Sequence, residues 1–396
     1  ARGMHHEASA RIFEKGIADT PRMWATHPSN ADREENAKRN YIPSGFDARS
    51  AWILFRDAEA TKQSTTRDIL AVLANGAPLP ELAPLADTLA QLSGEFTRTR
   101  LLPRYRGAYL GRALTRHVHQ AEALVGPIVV RDREATLAAL ETLYPATLAA
   151  DLKQSRDLAT EHATLEGLYD GLLEAPGGVI RHRGRELRRK DLPPLLREVE
   201  RQRDAADLRV QSHDREARST HLAIARELGR GWEEYLASLL ELLRYAEHTE
   251  ANLRDGQAYV AHVFAIITAD QKITRAELDR LVAAAWDVHD VLARIFAERA
   301  KVVLPRELTA ILGNDSWDKC LPPELELPPP SADIMGDWLP AMDGWAARVS
   351  SDLQTLGERT LDLLLDTEDH LGRSYRNGTD PEIASAGLTE EEAKKQ

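Results

Sequence analysis

The chain contains 396 residues, of which 63 are acidic and 51 basic, and its formal net charge at pH 7 is −12. This length is enough for about two to four domain cores, which disfavours one compact domain. The negative charge repels a phosphate backbone at long range, so we expect no nucleic-acid partner.

Composition predicts an all-α fold. Aromatic residues make up 6% of the chain, and Ala, Leu, Glu and Arg are abundant, as is typical of helical proteins. Cys320 is the single cysteine, which excludes an internal disulfide and a zinc cluster built from cysteines. The longest apolar run, 259–269, is shorter than the roughly 20 residues that a membrane-spanning helix requires. We therefore expect this chain to be soluble.

The first distinctive pattern is the run W-A-T-H-P-S-N-A-D-R at positions 24–33. Pro28 places His27 on a loop, and Asn30 followed by acidic residues predicts the start of a helix. A loop imidazole is able to approach a metal, or it bonds its own backbone. Arg33 is able to bridge a carboxylate or a substrate backbone through its guanidinium fork, or it is the exposed first-turn arginine of a solvated helix.

Thr26-His27-Pro28 with Arg33 resembles the closing motif of the HtpX-like and CAAX-prenyl-protease-type membrane zinc metallopeptidases. The stretch S-A-W-I-L-F at 50–55 is similar to one found in larger bacterial members. The resemblance implies that His27 approaches the zinc from the side as a possible transient ligand, and that Arg33 holds the edge of the cleft. Members carry H-E-x-x-H on one helix and a zinc-binding Glu on a later one, and this sequence contains no H-E-x-x-H.

The resemblance therefore implies the C-terminal, largely non-catalytic portion of a zinc-dependent membrane-associated metalloendopeptidase. The complete protein would hydrolyse peptide bonds of protein or peptide substrates, with zinc ligands and catalytic residues outside this chain. The parent would be bacterial and membrane-associated, on a side of the membrane that the sequence does not specify. The alternative, from the residue patterns, is a stand-alone helical scaffold or adaptor that binds other proteins through its long helical pair and its Trp-rich C-terminal segment.

The middle of the chain predicts two long antiparallel helices joined by a β-hairpin. Leu158, Leu165 and Leu172 recur at helical spacing in the first helix, and a stripe from Leu196 to Ile224 marks the second. Between them, glycines flank a short Val-Ile run at 177–190, which is typical of a small hairpin. His213 lies on the apolar stripe and is expected to be a hydrogen-bonded core or interface histidine.

The predicted hairpin is strongly basic, and its cations are our candidate interaction residues. They could bind anionic lipid headgroups or an acidic partner, or they could form a solvated surface that balances the acidic remainder. No aromatic side chain interleaves with them to stack a base, which disfavours single-stranded nucleic acid. The residues are Arg181, Arg183, Arg185, Arg188, Arg189 and Lys190.

Two apparent metal patterns fail on geometry or chemistry. Adjacent His5 and His6 would point about 100° apart on a helix and do not chelate together. The run 270–277 follows a calcium loop only in outline, since Lys272 stands where a carboxylate is needed; Thr274 and Glu277 instead predict a capping box.

These patterns predict a six-part organisation, with helices at roughly 233–253, 257–268 and 275–301 in its second helical bundle. The parts are a peptidase-domain remnant at 1–45, a helical extension at 46–130, the long helical pair with its hairpin tip at 131–230, a helical bundle at 231–320, a proline-rich linker at 321–333, and a C-terminal helix with a flexible tail at 334–396.

Overall fold

The computed structural model describes residues 33, 36–39, 49–74, 83–96, 98–127, 132–171, 173–175, 179–268 and 272–381. Within these residues the fold is all-α and multi-helical, as composition predicted, with ten bounded helices and one two-stranded hairpin. The helices are α1 Ala58–Ala74, α2 Leu85–Phe96, α3 Arg133–Thr142, α4 Leu148–Asp170, α5 Leu192–Leu228, α6 Trp232–Thr268, α7 Arg275–Glu298, α8 Arg306–Leu312, α9 Trp317–Cys320 and α10 Met335–Asn377.

The predicted hairpin joins α4 to α5. Strand β1 (Ile180–His182) pairs antiparallel with β2 (Arg185–Leu187). The two turn residues, Arg183 and Gly184, have φ values of 47° and 76°, the left-handed pair that a two-residue type I′ turn requires. The prediction of a long helical pair carrying a basic hairpin is therefore confirmed.

Side-chain contacts show that α4 and α5 run antiparallel. Asp151 accepts a hydrogen bond from Arg209 Nε at 2.9 Å, and four residues further along α4 Ser155 donates to Asp207 at 2.6 Å. The stripe that marks α5 in the sequence begins at Leu196, and the helix itself begins four residues earlier, at Leu192. Pro193 and Pro194 fit its first turn, because the N–H that a proline lacks has no helical acceptor there.

The prediction of two helices at 233–253 and 257–268 was wrong, since α6 is continuous across Gly256. A Cβ at Gly256 would stand 3.1 Å from Val288 Cγ2 on α7, so the missing side chain allows close helix packing rather than ending the helix. Helix α7 begins as predicted, with Thr274 and Glu277 forming a capping box.

The chain divides into two compact units. Unit 1 comprises residues 1–96 and 157–203, and unit 2 comprises 97–156 and 204–396. In unit 1 the described elements are α1, α2, the later part of α4, the hairpin and the first part of α5. The six-part organisation taken from the sequence stays a prediction.

The core of unit 2 consists of two hydrophobic clusters along α6. Toward the start of α6, Leu239 packs with residues of α10 such as Leu364. Further along, Val263 of α6, Leu292 of α7 and Val349 of α10 belong to a second buried cluster. Alternating apolar positions at three and four residue steps bury one face of each helix, which supplies most of the stabilisation of such a bundle.

The proline-rich segment 321–333 is extended and packs against this core. Leu321 and Leu327 are buried, and the indole nitrogen of Trp338 donates to the Pro328 carbonyl at 2.7 Å. In the described part of the chain, no helix combines the length and apolar character needed to cross a membrane.

Candidate functional site

The hairpin of unit 1 has one buried and one exposed face. Ile180 and His182 point inward and are buried, because alternate residues of a strand face opposite sides. Arg181 and Glu186 pair across the outward face, with Arg181 Nη2 at 3.3 Å from Glu186 Oε1. The hairpin is therefore held on one side and open on the other.

Glu161 on α4 anchors the turn. Its carboxylate contacts His182 Nε2 and accepts a hydrogen bond from Arg183 Nη2 at 2.9 Å. Arg183 also reaches Gln202 on α5, at 3.4 Å. Burial raises the pKa of Glu161, but the hydrogen bonds from Arg183 and His182 outweigh it and leave the pKa below its usual value. An ionised Glu161 thus fixes the hairpin against both helices of the pair.

Arg189 is also a structural residue. Its Nε donates to the backbone carbonyl of Tyr169 near the end of α4, and its guanidinium lies 6.0 Å from the centroid of the Tyr169 ring. Arg183 and Arg189 therefore attach the hairpin to the helical pair, and their charges serve local contacts.

The remaining four cations face solvent. Arg185, Arg188 and Lys190 are exposed and form no ion pair with any residue that the structure describes. The Arg181–Glu186 pair is exposed on both sides, and such pairs contribute little to stability. We call these four residues, Arg181, Arg185, Arg188 and Lys190, the basic tip. The predicted set of six thus divides into two anchors and four presented charges.

Of the peptidase-like motif at 26–33, the structure describes Arg33 alone. His27 lies outside the described residues. Arg33 is helical and exposed, in agreement with the predicted helix start, and the structure describes no partner for it. The roles assigned to His27 and Arg33 by resemblance stay predictions.

A second feature of unit 1 is an exposed apolar segment that follows this motif. No residue of α1 is buried, and Trp52 to Phe55, just before it, are all exposed. On α2, exposed leucines recur at four and three residue steps, which makes one stripe of the helix. The ten large apolar side chains of the apolar segment are Trp52, Ile53, Leu54, Phe55, Ile69, Val72, Leu73, Leu85, Leu89 and Leu92.

Unit 2 contains a buried charged cluster that the sequence patterns did not predict. Arg218 on α5 and Glu368 on α10 are each 3% exposed and pair at 2.7 Å. Arg218 also donates to Tyr109 Oη at 3.0 Å, and that hydroxyl lies 2.8 Å from Tyr144 Oη. His221 Nδ1 contacts the Ala217 carbonyl. Burial lowers the pKa of His221, so its neutral form is favoured.

A neighbouring buried carboxylate, Asp214, is held by a bidentate pair. Arg112 donates to its two oxygens at 2.6 and 2.7 Å. His213, predicted to be a hydrogen-bonded core residue, contacts the Leu143 carbonyl through Nε2 at 2.8 Å, which confirms that prediction. Burial by itself raises the pKa of Asp214. The contacts with His213 and Arg112 lower the pKa by more than burial raises it, and the resulting value is about 2.

These contacts hold the irregular segment 98–127 against the helices of unit 2. Arg100 pairs with Asp362 of α10 at 2.6 Å. Glu247 of α6 accepts hydrogen bonds from the backbone N–H and the hydroxyl of Thr115, each at 2.7 Å. A cavity of about 330 Å³ borders the cluster. Because its arginines and carboxylates largely neutralise each other, we interpret this region as structural.

Two results bear on identity. Among the described residues, no group of three or more His, Cys, Asp or Glu side chains is arranged to hold a metal ion. Comparison with known proteins found no matching family model, no matching curated protein and no matching solved structure.

Proposed function

We propose that this chain is the C-terminal, largely non-catalytic portion of a zinc-dependent, membrane-associated metalloendopeptidase of the HtpX-like type. The observation that carries the proposal is Thr26-His27-Pro28 with Arg33 at the family's spacing, followed by the S-A-W-I-L-F stretch at 50–55. The helical units would bind substrates or partners beside the peptidase centre.

The apolar segment supports this proposal. Burying apolar surface is favourable, so large apolar side chains left exposed along one stretch of chain are candidates for contact with another polypeptide. The apolar segment begins at Trp52, within the second matching stretch, so the exposed surface lies close to the motif in sequence. A peptidase portion carrying H-E-x-x-H would provide a polypeptide surface to cover it.

In the complete protein, zinc bound by residues outside this chain would supply an activated water for peptide-bond hydrolysis. His27 would present a neutral imidazole nitrogen beside the metal, the form in which histidine binds zinc. Arg33 would orient a carboxylate or the substrate backbone by bidentate hydrogen bonding. Both assignments follow from motif position.

The test uses the protein purified from its native source with its full reading frame. We expect a longer polypeptide that contains bound zinc, measured by intact mass and metal analysis. His27→Ala and Arg33→Ala should each lower peptidase turnover about tenfold or more, the effect expected for residues that support a metal site. Arg39→Ala is the matched control, since Arg39 lies close to the motif in sequence and donates a hydrogen bond to Asn36 at 2.9 Å.

A native product without zinc, encoded without an upstream H-E-x-x-H, would refute the peptidase proposal. The second candidate would then apply, a stand-alone helical scaffold that binds proteins through the apolar segment. That alternative predicts a stable complex with another protein that is lost on Val72→Asp and Leu89→Asp, with no peptidase activity in either form.

A further inference from the structure

The basic tip contrasts in charge with the rest of the chain. Six cationic side chains lie within the ten residues 181–190, in a protein whose formal net charge is −12. Two of the six are used as anchors, and the other four are exposed. Arg181 pairs only with exposed Glu186, and the other three form no ion pair within the described residues. Neighbouring like charges repel each other, so such an exposed cluster is suited to an anionic partner.

The tip is also held in a fixed orientation. The left-handed turn at Arg183 and Gly184 and the contacts of Glu161 with His182 and Arg183 fix the hairpin on the helical pair. The four exposed cations are therefore carried by a short segment that is fixed to the helical pair.

We propose that the basic tip binds the anionic headgroups of a phospholipid surface. A cluster of exposed point charges needs no shape complementarity from a charged lipid surface. A protein partner would instead require a buried apolar or aromatic centre, and the described residues of the hairpin expose one large apolar side chain, Val179. Nucleic acid is disfavoured by the absence of stacking aromatics within residues 179–191.

This inference rests on the proposed function in one respect, the presence of a membrane beside the chain. The binding itself is measured without peptidase activity, so a failed peptidase test and a failed lipid test remain separate results.

The experiment measures cosedimentation of the whole chain with vesicles of phosphatidylcholine containing one third phosphatidylglycerol. Vesicles of phosphatidylcholine alone serve as the neutral reference. The test variant is Arg185→Glu with Arg188→Glu and Lys190→Glu, which leaves both anchors in place. The matched control reverses three exposed arginines of unit 2, giving the same net charge: Arg280→Glu, Arg294→Glu and Arg306→Glu.

We expect binding to the anionic vesicles that weakens with added salt and falls about a hundredfold or more in the hairpin variant. The control variant should retain most of the binding. Three results would overturn the inference: no preference for anionic over neutral vesicles, equal losses in the two variants, or binding to a polyglutamate peptide without binding to vesicles. Circular dichroism of both variants, expected to match the parent chain, shows that lost binding does not come from unfolding.

Discussion

The substitution Asp214→Asn is the most direct test of the buried ion pair, because the folded pKa of Asp214 gives the expected loss of stability. Asp214 is 2% exposed, and its pKa falls from an ordinary 3.8 to about 2 in the folded protein. Since a tenfold change in proton affinity corresponds to about 1.4 kcal/mol, ionised Asp214 should stabilise the fold by about 2.5 kcal/mol at pH 7. Asparagine keeps the shape but removes the charge that pairs with Arg112.

The pH dependence has a definite sign. A carboxylate whose folded pKa is depressed stabilises the protein above its unfolded pKa, and the contribution disappears as pH falls through the folded pKa. The difference in unfolding free energy between parent and Asp214→Asn should therefore be constant above about pH 4 and decline toward zero near pH 2.

Urea unfolding followed by circular dichroism, with amide hydrogen exchange along α5, measures this difference. Glu216→Gln is the control, since Glu216 lies on the same helix, its side chain is exposed, and the hydrogen bond that it accepts from Ser219 is made by its backbone carbonyl. A loss of stability below about 1 kcal/mol at pH 7, or a loss that persists unchanged at pH 2, would contradict a stabilising ionised Asp214.

Three further predictions follow from single contacts. Glu368→Gln should destabilise unit 2 by about 3 to 5 kcal/mol in the same urea assay, because it leaves the buried guanidinium of Arg218 without its carboxylate; a cost near zero would contradict the buried pair. His221→Phe should reduce the loss of stability on acidification below about pH 6.5, since a histidine with a depressed folded pKa favours unfolding when it must take up a proton; an unchanged pH profile would contradict this. Gly184→Ala should destabilise the hairpin by about 1 kcal/mol through its positive φ, as no atom would crowd the new Cβ, and faster hydrogen exchange at residues 180–187 would reveal it; Gly336→Ala, with equal space and no positive φ, is the control.

Local sequence signals predicted the regular parts of this fold well. The Gly-flanked run before Arg181 predicted the hairpin, and the stripe from Leu196 to Ile224 predicted most of α5. Helix ends were harder to place, because proline in a first turn and glycine at a close helix contact resemble breaks in a local pattern. Gly256 is an example, because it allows a close contact with Val288, a residue on another helix.

Local sequence signals did not predict the long-range polar contacts. Arg218 and Glu368 are 150 residues apart, and neither belongs to a recognisable motif. A charged residue on a helix is predicted to be exposed when its partner is unknown. Nothing in the local sequence distinguishes buried Arg218 from an exposed arginine such as Arg226. The division of the basic run into anchors and presented cations likewise depends on Glu161 and Tyr169, which only the fold brings beside it.

That division separates two effects that a charge count would merge. Substituting Arg183 would remove both a cation and an anchor, so weaker lipid binding could follow from either loss. Glu161→Gln leaves every basic side chain in place while weakening the contacts that orient the hairpin. If orientation matters as well as charge, Glu161→Gln should lower binding to the anionic vesicles despite removing one negative charge, whereas a purely electrostatic tip would bind slightly more tightly.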